Sequence, residues 1–354
     1  MLLKNDDTTL PLPADVKTIA AFGNTSYDFI SGGTGSGDVN EAYDVSLVQG
    51  LEARDFEIDE DLRGMYEAHI QTEKANRPAK ENFWEFEPPL PEMVVSEKLV
   101  ADKAAQVDIA LVTIGRNSGE FHDRPLEGDF YLTAEEKTLI ENVSEAFHAQ
   151  GKKVVLILNI GNVVETVSWR DHVDAIVLPW QGGQEAGNAL VDVLTGDVNP
   201  SGKLPTTFSV KYSDVPSSDN FPGVKTSDEV INILGILDAN PSQVDYEEGI
   251  YVGYRYFDAF DVEPAYEFGF GLSYTRFDYG PCRLSAESFA DTMTATVTVA
   301  NAGDAAGKEV VQLYLTAPEG EIDKPIRELK GFAKTRSLEP GESQNLEFAL
   351  EAKH

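Results

Sequence analysis

Through the first two-thirds of the chain, short unbroken apolar runs alternate with stretches whose apolar residues recur every three or four positions. Lys17-Thr18-Ile19-Ala20-Ala21-Phe22-Gly23 is the first run, and Asp108 to Gly115 the second. Lys153 to Asn159 and Asp174 to Pro179 are the third and fourth. Continuous apolar runs of this length predict parallel strands covered on both faces. Between them, Thr133-Ala134-Glu135-Glu136 has the form of a capping box and opens a helix with Leu139, Ile140, Val143 and Phe147 on one face. Gln184 to Leu194 predicts another helix, with Ala189, Leu190 and Val193 turned inward and Gly196 as its stop. Strand–helix alternation of this kind predicts a layered α/β sandwich with a mostly parallel sheet and right-handed crossovers.

A different grammar begins near Gly280. Met293, Ala295, Val297 and Val299 alternate with Thr292, Thr294, Thr296 and Thr298, and a turn follows at Asn301-Ala302-Gly303-Asp304. Val311, Leu313 and Leu315, then Leu346, Phe348 and Leu350, repeat the period of two. Such strands read as an all-β sandwich. The expected division is an α/β domain over residues 1–278 and a β-domain over 279–354. The sequence ends just after the Leu346–Leu350 run, so the β-domain is expected to be incomplete. Its last strand would leave an open edge and part of an apolar core uncovered, which allows a homo-oligomer.

The 354 residues suit about two domains. Twenty-eight Lys and Arg stand against 61 Asp and Glu, a formal net charge of −33. A field this negative repels phosphates and anionic surfaces, so neither nucleic acid nor membrane is expected as a partner. The acidity is spread along the chain, as a solvated surface would be, rather than gathered in one block. No apolar run reaches the ~18–20 residues of a membrane-spanning helix, and the first residues lack a basic-then-apolar leader pattern. The single cysteine, Cys282, excludes an internal disulfide framework and suits a reducing, cytoplasmic setting.

In open α/β sheets, ligands collect at loops beyond the carboxyl ends of the strands. Two such loops are distinctive. Gly32-Gly33-Thr34-Gly35-Ser36-Gly37-Asp38 lacks the spacing of a dinucleotide fingerprint and has no Gly-Lys-Ser/Thr, so it reads either as a close backbone approach to a neutral polyol or as a surface turn. The second loop, Gly115 to Arg124, gathers Arg116, Glu120, His122, Asp123 and Arg124. It reads either as a general acid in a ligand-facing loop or as an exposed ion-pair cluster. The five histidines show no metal-ligand spacing, and no metal or cofactor is expected. Phe83-Trp84-Glu85-Phe86-Glu87-Pro88-Pro89-Leu90-Pro91 offers rings for a sugar face or for simple packing. Trp180-Gln181-Gly182-Gly183-Gln184-Glu185 follows the fourth run and either lines the site or supports it.

These loops, with Leu2-Leu3-Lys4-Asn5, Leu10-Pro11-Leu12, Asn199-Pro200-Ser201-Gly202-Lys203-Leu204-Pro205-Thr206-Thr207-Phe208, Tyr251-Val252-Gly253-Tyr254-Arg255-Tyr256-Phe257 and the Pro264–Tyr274 segment, occur in the order that marks one family. The chain resembles the carboxyl-terminal portion of glycoside hydrolase family 3 β-glucosidases over nearly its whole length. The resemblance implies an α/β sandwich followed by a fibronectin type III-like module. It implies a retaining hydrolase acting on a β-glucoside or short β-glucan oligosaccharide, with Glu120 as general acid/base and Ser36 contacting the sugar. Arg116, Asp123 and Arg124 would support the loop. The nucleophilic aspartate would lie on a (β/α)8 barrel, for which no eight strand–helix units and no Ser-Asp-Trp motif are present in these residues. Phe121 stands where relatives usually carry Gly, and His122 where Tyr is common. A non-catalytic carbohydrate-binding or interaction module is the alternative.

Overall fold

The four apolar runs form the centre of one six-stranded sheet. The computed structural model describes residues 1–37, 39–79, 88–119, 123–233, 235, 237–318 and 320–352. Glu120, Phe121, His122, Asp38 and the aromatic run Phe83–Glu87 lie outside the described residues. The strands are β1 (Leu2–Asn5), β2 (Thr18–Phe22), β3 (Glu57–Ile58), β4 (Ile109–Arg116), β5 (Val154–Ile160) and β6 (Ala175–Val177). Their order is β1-β6-β5-β4-β2-β3, with every neighbouring pair parallel except β1 against β6.

The runs are continuous because both faces of the sheet are covered. Ala20, Phe22, Ala110, Val112, Leu156 and Leu158 face one layer, formed by helices α2 (Glu60–Asn76), α3 (Glu97–Gln106) and α4 (Ala134–Ala149). Ile19, Ala21, Ile109, Leu111, Val155 and Ile157 face the other, formed by α1 (Leu47–Glu52) and α5 (Ala186–Thr195). Alternate residues thus enter opposite cores, and every residue of β4 and β5 is buried. The capping box of α4 is present, with the Thr133 hydroxyl and the Glu136 carboxylate each accepting the other's main-chain amide. In α5 the inward residues are Leu190, Val191 and Leu194, whereas Ala189 is exposed and Val193 half-buried. The run Ala189-Leu190-Val191 is apolar on every side, so spacing alone does not fix its facing. Gly196 ends the helix in a left-handed conformation, φ +84°.

This order contains a reversal. The chain leaving β2 turns to α1 and then to β3 at the edge, whereas the chain leaving β4 turns to α4 on the opposite face and continues to β5. The carboxyl ends of β2 and β4 therefore open a crevice between diverging connections, where ligands settle in doubly wound sheets.

Toward the carboxyl end, Phe277–Tyr279, Arg283–Leu284, Thr292–Asn301 and Ser343–Glu351 make one antiparallel sheet. The hairpin of Val310–Leu315 and Glu328–Lys334 makes a second, and Ala295, Val297, Val299, Val311, Leu346 and Phe348 fill the space between. Alternation turns Leu346 and Phe348 into this core, and Leu350 on the same strand is buried as well. The large exposed apolar side chains of the module are elsewhere, at Ile322, Ile326 and Phe332 among others. Among the described residues, no helix is long and apolar enough to cross a membrane.

The two parts are joined through the Asn199–Pro205 segment. Lys203 Nζ lies 2.9 Å from the carboxylate of buried Glu309 and donates to Gly271 O at 2.7 Å. Asn199 Nδ2 donates to Ala306 O at 2.9 Å, while its Oδ1 accepts from Ser273 Oγ and Tyr274 N, both at 2.8 Å. Removing one partner of a buried pair leaves the other charge uncompensated. Glu309→Ala should therefore lower the unfolding free energy by about 3 kcal/mol, measured by urea denaturation followed by circular dichroism. Removing the exposed carboxylate of Glu287 in the same way should change it by less than about 0.5 kcal/mol.

Candidate active site

The carboxyl edge of the sheet is organised by polar side chains at the ends of β4 and β5. Asn159, at the end of β5, is fully buried. Its Oδ1 accepts from Ile30 N at 2.7 Å, and its Nδ2 donates to Ile30 O at 3.0 Å and Trp180 O at 2.9 Å. One side chain thus fixes the loop after β2 and the loop after β6 to the strand between them. A buried amide with its hydrogen bonds satisfied at this point specifies a single arrangement of the backbone.

Arg116 closes β4 and is 1% exposed. Its guanidinium meets the Glu136 carboxylate through two hydrogen bonds of 2.6 Å each, and also donates to Gly115 O at 2.6 Å and Asp129 O at 3.0 Å. Planar, paired contacts of this kind are the strongest form of carboxylate recognition. Glu136 therefore does two things at once, capping α4 and neutralising Arg116. Beyond the loop, Arg124 donates to Asp129 Oδ1 at 2.5 and 3.0 Å and to Val163 O at 2.7 Å. Both limbs of the 117–124 loop are consequently anchored to Asp129, one through its carbonyl and the other through its carboxylate.

The glycine loop is stitched to the same place. Thr34 N donates to Ser118 O at 2.6 Å, and Asn117 Nδ2 donates to Thr34 Oγ1 at 2.8 Å. Ser118 Oγ donates to Gln181 Oε1 at 3.0 Å, and Gln181 Nε2 reaches Asn117 Oδ1 at 3.3 Å. Gly33 permits this approach, since a Cβ there would lie 2.9 Å from Ser118 O. Gly183 N donates to Ser31 O at 2.9 Å, bringing in the segment after β6.

Of the residues singled out in the sequence, Ser36 lies exposed in the single turn Gly35–Gly37, two residues from Thr34. Asp123 is exposed at the rim of a cavity of about 390 Å³, whose walls include Ser118, Arg124, Asn162, Tyr212 and Phe221. Arg116 is in the core beneath the loop rather than on its surface. Glu120 belongs to the undescribed residues between these anchors. Trp180 and Gln181 line a neighbouring cavity of about 530 Å³ with Asn162 and Thr206. Sequence reasoning did not single out Asn159, Asn117 or the second role of Glu136. The available signal was a polar residue ending an apolar run. Tyr212 and Phe221 gave none, because they come from a segment far along the chain. Among the described residues, no group of three His, Cys, Asp or Glu comes together as metal ligands.

A doubly wound α/β unit whose edge loops are laced around open cavities, followed by a small β-sandwich, defines the class of protein. Residues 1–254 match the glycosyl hydrolase family 3 C-terminal domain, and residues 309–354 match the fibronectin type III-like domain. The chain belongs to glycosyl hydrolase family 3. It is 48% identical to β-glucosidase 3B from Thermotoga neapolitana, whose glucose complex superposes with a TM-score of 0.89 over 99% of this chain and 47% of that one. A β-glucosidase from Paenibacillus barengoltzii superposes at 0.85 with 34% identity, covering 99% of this chain and 37% of that one. β-Glucosidase A of Butyrivibrio fibrisolvens is 37% identical over 99% of this chain and 44% of its own length. The chain thus spans less than half the length of these relatives.

The double role of Glu136 can be separated by substitution. Thr133→Ala removes only the cap and should cost about 1 kcal/mol. Glu136→Gln removes the paired counter-charge of the buried Arg116 guanidinium, leaving only the Asp129 carboxylate at 3.9 Å, and should cost about 3 kcal/mol, both measured by urea denaturation.

Proposed function

We propose that this chain supplies the acid/base half of a retaining β-glucosidase that removes terminal non-reducing β-D-glucosyl residues. The observation that carries the reading is the Thr34 N to Ser118 O hydrogen bond of 2.6 Å. It holds Thr34 of the glycine loop against Ser118; in the sequence, Ser36 and Glu120 each follow the bonded residue by two positions. The relatives are β-glucosidases, and their additional length leaves room for a further domain.

In the proposed reaction, a carboxylate on a (β/α)8 barrel outside these 354 residues attacks the anomeric carbon and expels the aglycone. Glu120 protonates the departing oxygen, then removes a proton from the water that hydrolyses the glycosyl intermediate. The two carboxyls of such a pair stand about 5–5.5 Å apart. Ser36 would hydrogen-bond a sugar hydroxyl. Arg116, Asp129 and Arg124 would hold the limbs of the loop, and Asp123 would stand at its rim. A glucoside is neutral, so recognition by hydroxyl, amide and main-chain groups requires no cationic site.

Two outcomes follow. The purified chain alone should hydrolyse aryl β-glucosides no faster than its Glu120→Ala variant; robust turnover lost in that variant would place the whole reaction in this chain. In an enzyme completed by the barrel, Glu120→Gln should lower kcat/KM by roughly 10²–10⁴-fold for alkyl glucosides. For dinitrophenyl glucosides, whose leaving group needs little protonation, the loss should be less than about tenfold. Equal losses across leaving groups would contradict the acid role.

A further inference from the structure

One long stretch of the chain buries nothing. Among the described residues from 211 to 256, every one is exposed or half-buried. Within it, Val224–Lys225 pairs with Ser242–Gln243 and Ile231–Ile233 with Leu237–Ala239, both antiparallel, so the chain runs out and back as a two-stranded arm. Thr226 N donates to Pro241 O at 2.9 Å, and Asn240 Nδ2 donates to Glu229 O at 2.8 Å, which ties the two ladders together. Register gives the arm two unlike faces. Residues directly opposite one another share a face, so Ile231, Ile233 and Ala239 stand on one. Asn232 and Asp238 stand on the other, joined by a hydrogen bond of 2.7 Å. Ile231 and Ile233 are each 46% exposed, Val230 62% and Val224 74%. A two-stranded hairpin is only marginally stable in water and needs a further strand or a packed face to hold its shape. Apolar residues gathered on an uncovered surface mark a contact.

Charge and position say what covers it. Residues 224–248 hold the carboxylates of Asp228, Glu229, Asp238, Asp245, Glu247 and Glu248 and a single lysine, Lys225, whose Nζ lies 2.9 Å from Asp228. A second copy of this chain, with its net charge of −33, would bring like charge against the arm. The occupant must instead surround an apolar strip with cations. The arm leaves the body at Phe221 and Pro222, which wall the cavity of about 390 Å³ beside Ser118 and Arg124. The chain returns through Tyr251, whose hydroxyl donates to Asp323 Oδ1 at 2.7 Å in the fibronectin type III-like module. The arm is thus rooted at the rim of the candidate site, where a domain completing that site would arrive. The relatives named above, more than twice as long as this chain, have the length for such a domain. We propose that residues 224–243 are a docking arm for the further domain of the complete enzyme, received there by an apolar strip edged with Lys and Arg. The proposal rests on the reading that a barrel completes this site.

Hydrogen exchange tests it, read on peptides covering the arm in the full chain alone and in the enzyme completed by the barrel. In the chain alone these amides should exchange within about tenfold of their intrinsic rates, and in the completed enzyme about 100-fold more slowly. Equal exchange in the two would overturn the proposal. Ile231→Asp with Ile233→Asp should remove at least about tenfold of that protection, while the thermal midpoint of the chain alone moves by less than about 2 °C. Full protection in that variant would overturn it. Raising NaCl from about 0.05 to about 0.5 M should weaken the protection about fivefold, and protection that salt leaves unchanged or strengthens would overturn it. Protection appearing in the chain alone between about 1 and about 100 µM, with dimers in sedimentation, would assign the arm to a second copy and overturn it. The leaving-group dependence of Glu120→Gln is a separate measurement. Unprotected arm amides with that dependence intact sink only the arm, and protected ones without it sink only the acid/base reading.

Discussion

A guanidinium buried at the end of β4, the longest strand of the six-stranded sheet, dictates how the edge of this sheet is built. Arg116 cannot be left in the core without a counter-charge, and Glu136 supplies it in a paired geometry. Because Glu136 also caps α4, the strand end and the helix start become one mechanical unit. Arg124 and Asp129 repeat the device on the returning limb. A loop held at both limbs can present a side chain to a ligand at small entropic cost, because its ends are already in place.

The rest of the edge is fitted to that unit. Asn159 fixes the loops after β2 and β6, and the contacts among Thr34, Asn117, Ser118 and Gln181 draw the glycine loop against the anchored one. The sheet order explains why these loops meet here: connections from β2 and β4 diverge to opposite faces, and the gap between them is walled by their own first residues. The fibronectin type III-like module is joined to the α/β unit through Lys203, Glu309 and Asn199, and none of its described residues takes part in these edge contacts.

Much of this was legible in the chain. Continuous apolar runs gave β2, β4, β5 and β6, because a strand covered on both faces needs apolar residues at every position. The Thr133–Glu136 pattern gave the start of α4. The edge strands β1 and β3 were missed, since four residues with two leucines and a two-residue bridge carry no periodic signal. Arg116 was read as a loop residue because charge ordinarily means exposure, and its partner lies 20 positions away. Ala189 was turned the wrong way, and Val193 packs on the core only half-buried. Residue pattern left Glu120 open between a general acid and a member of an ion-pair cluster; the resemblance alone singled it out as the acid. The charge of −33 bears on the site only through the proposal, since a neutral sugar would ask for no field.

The central claim is that Glu120 is the acid/base of a retaining glucosidase completed by a barrel. The most direct measurement is azide rescue of Glu120→Ala in the completed enzyme, acting on an activated aryl β-glucoside. Without the base, the glycosyl intermediate accumulates; azide attacks it unaided and should restore turnover, yielding β-glucosyl azide with retained configuration. Absence of rescue, or an α-configured product, would contradict the account.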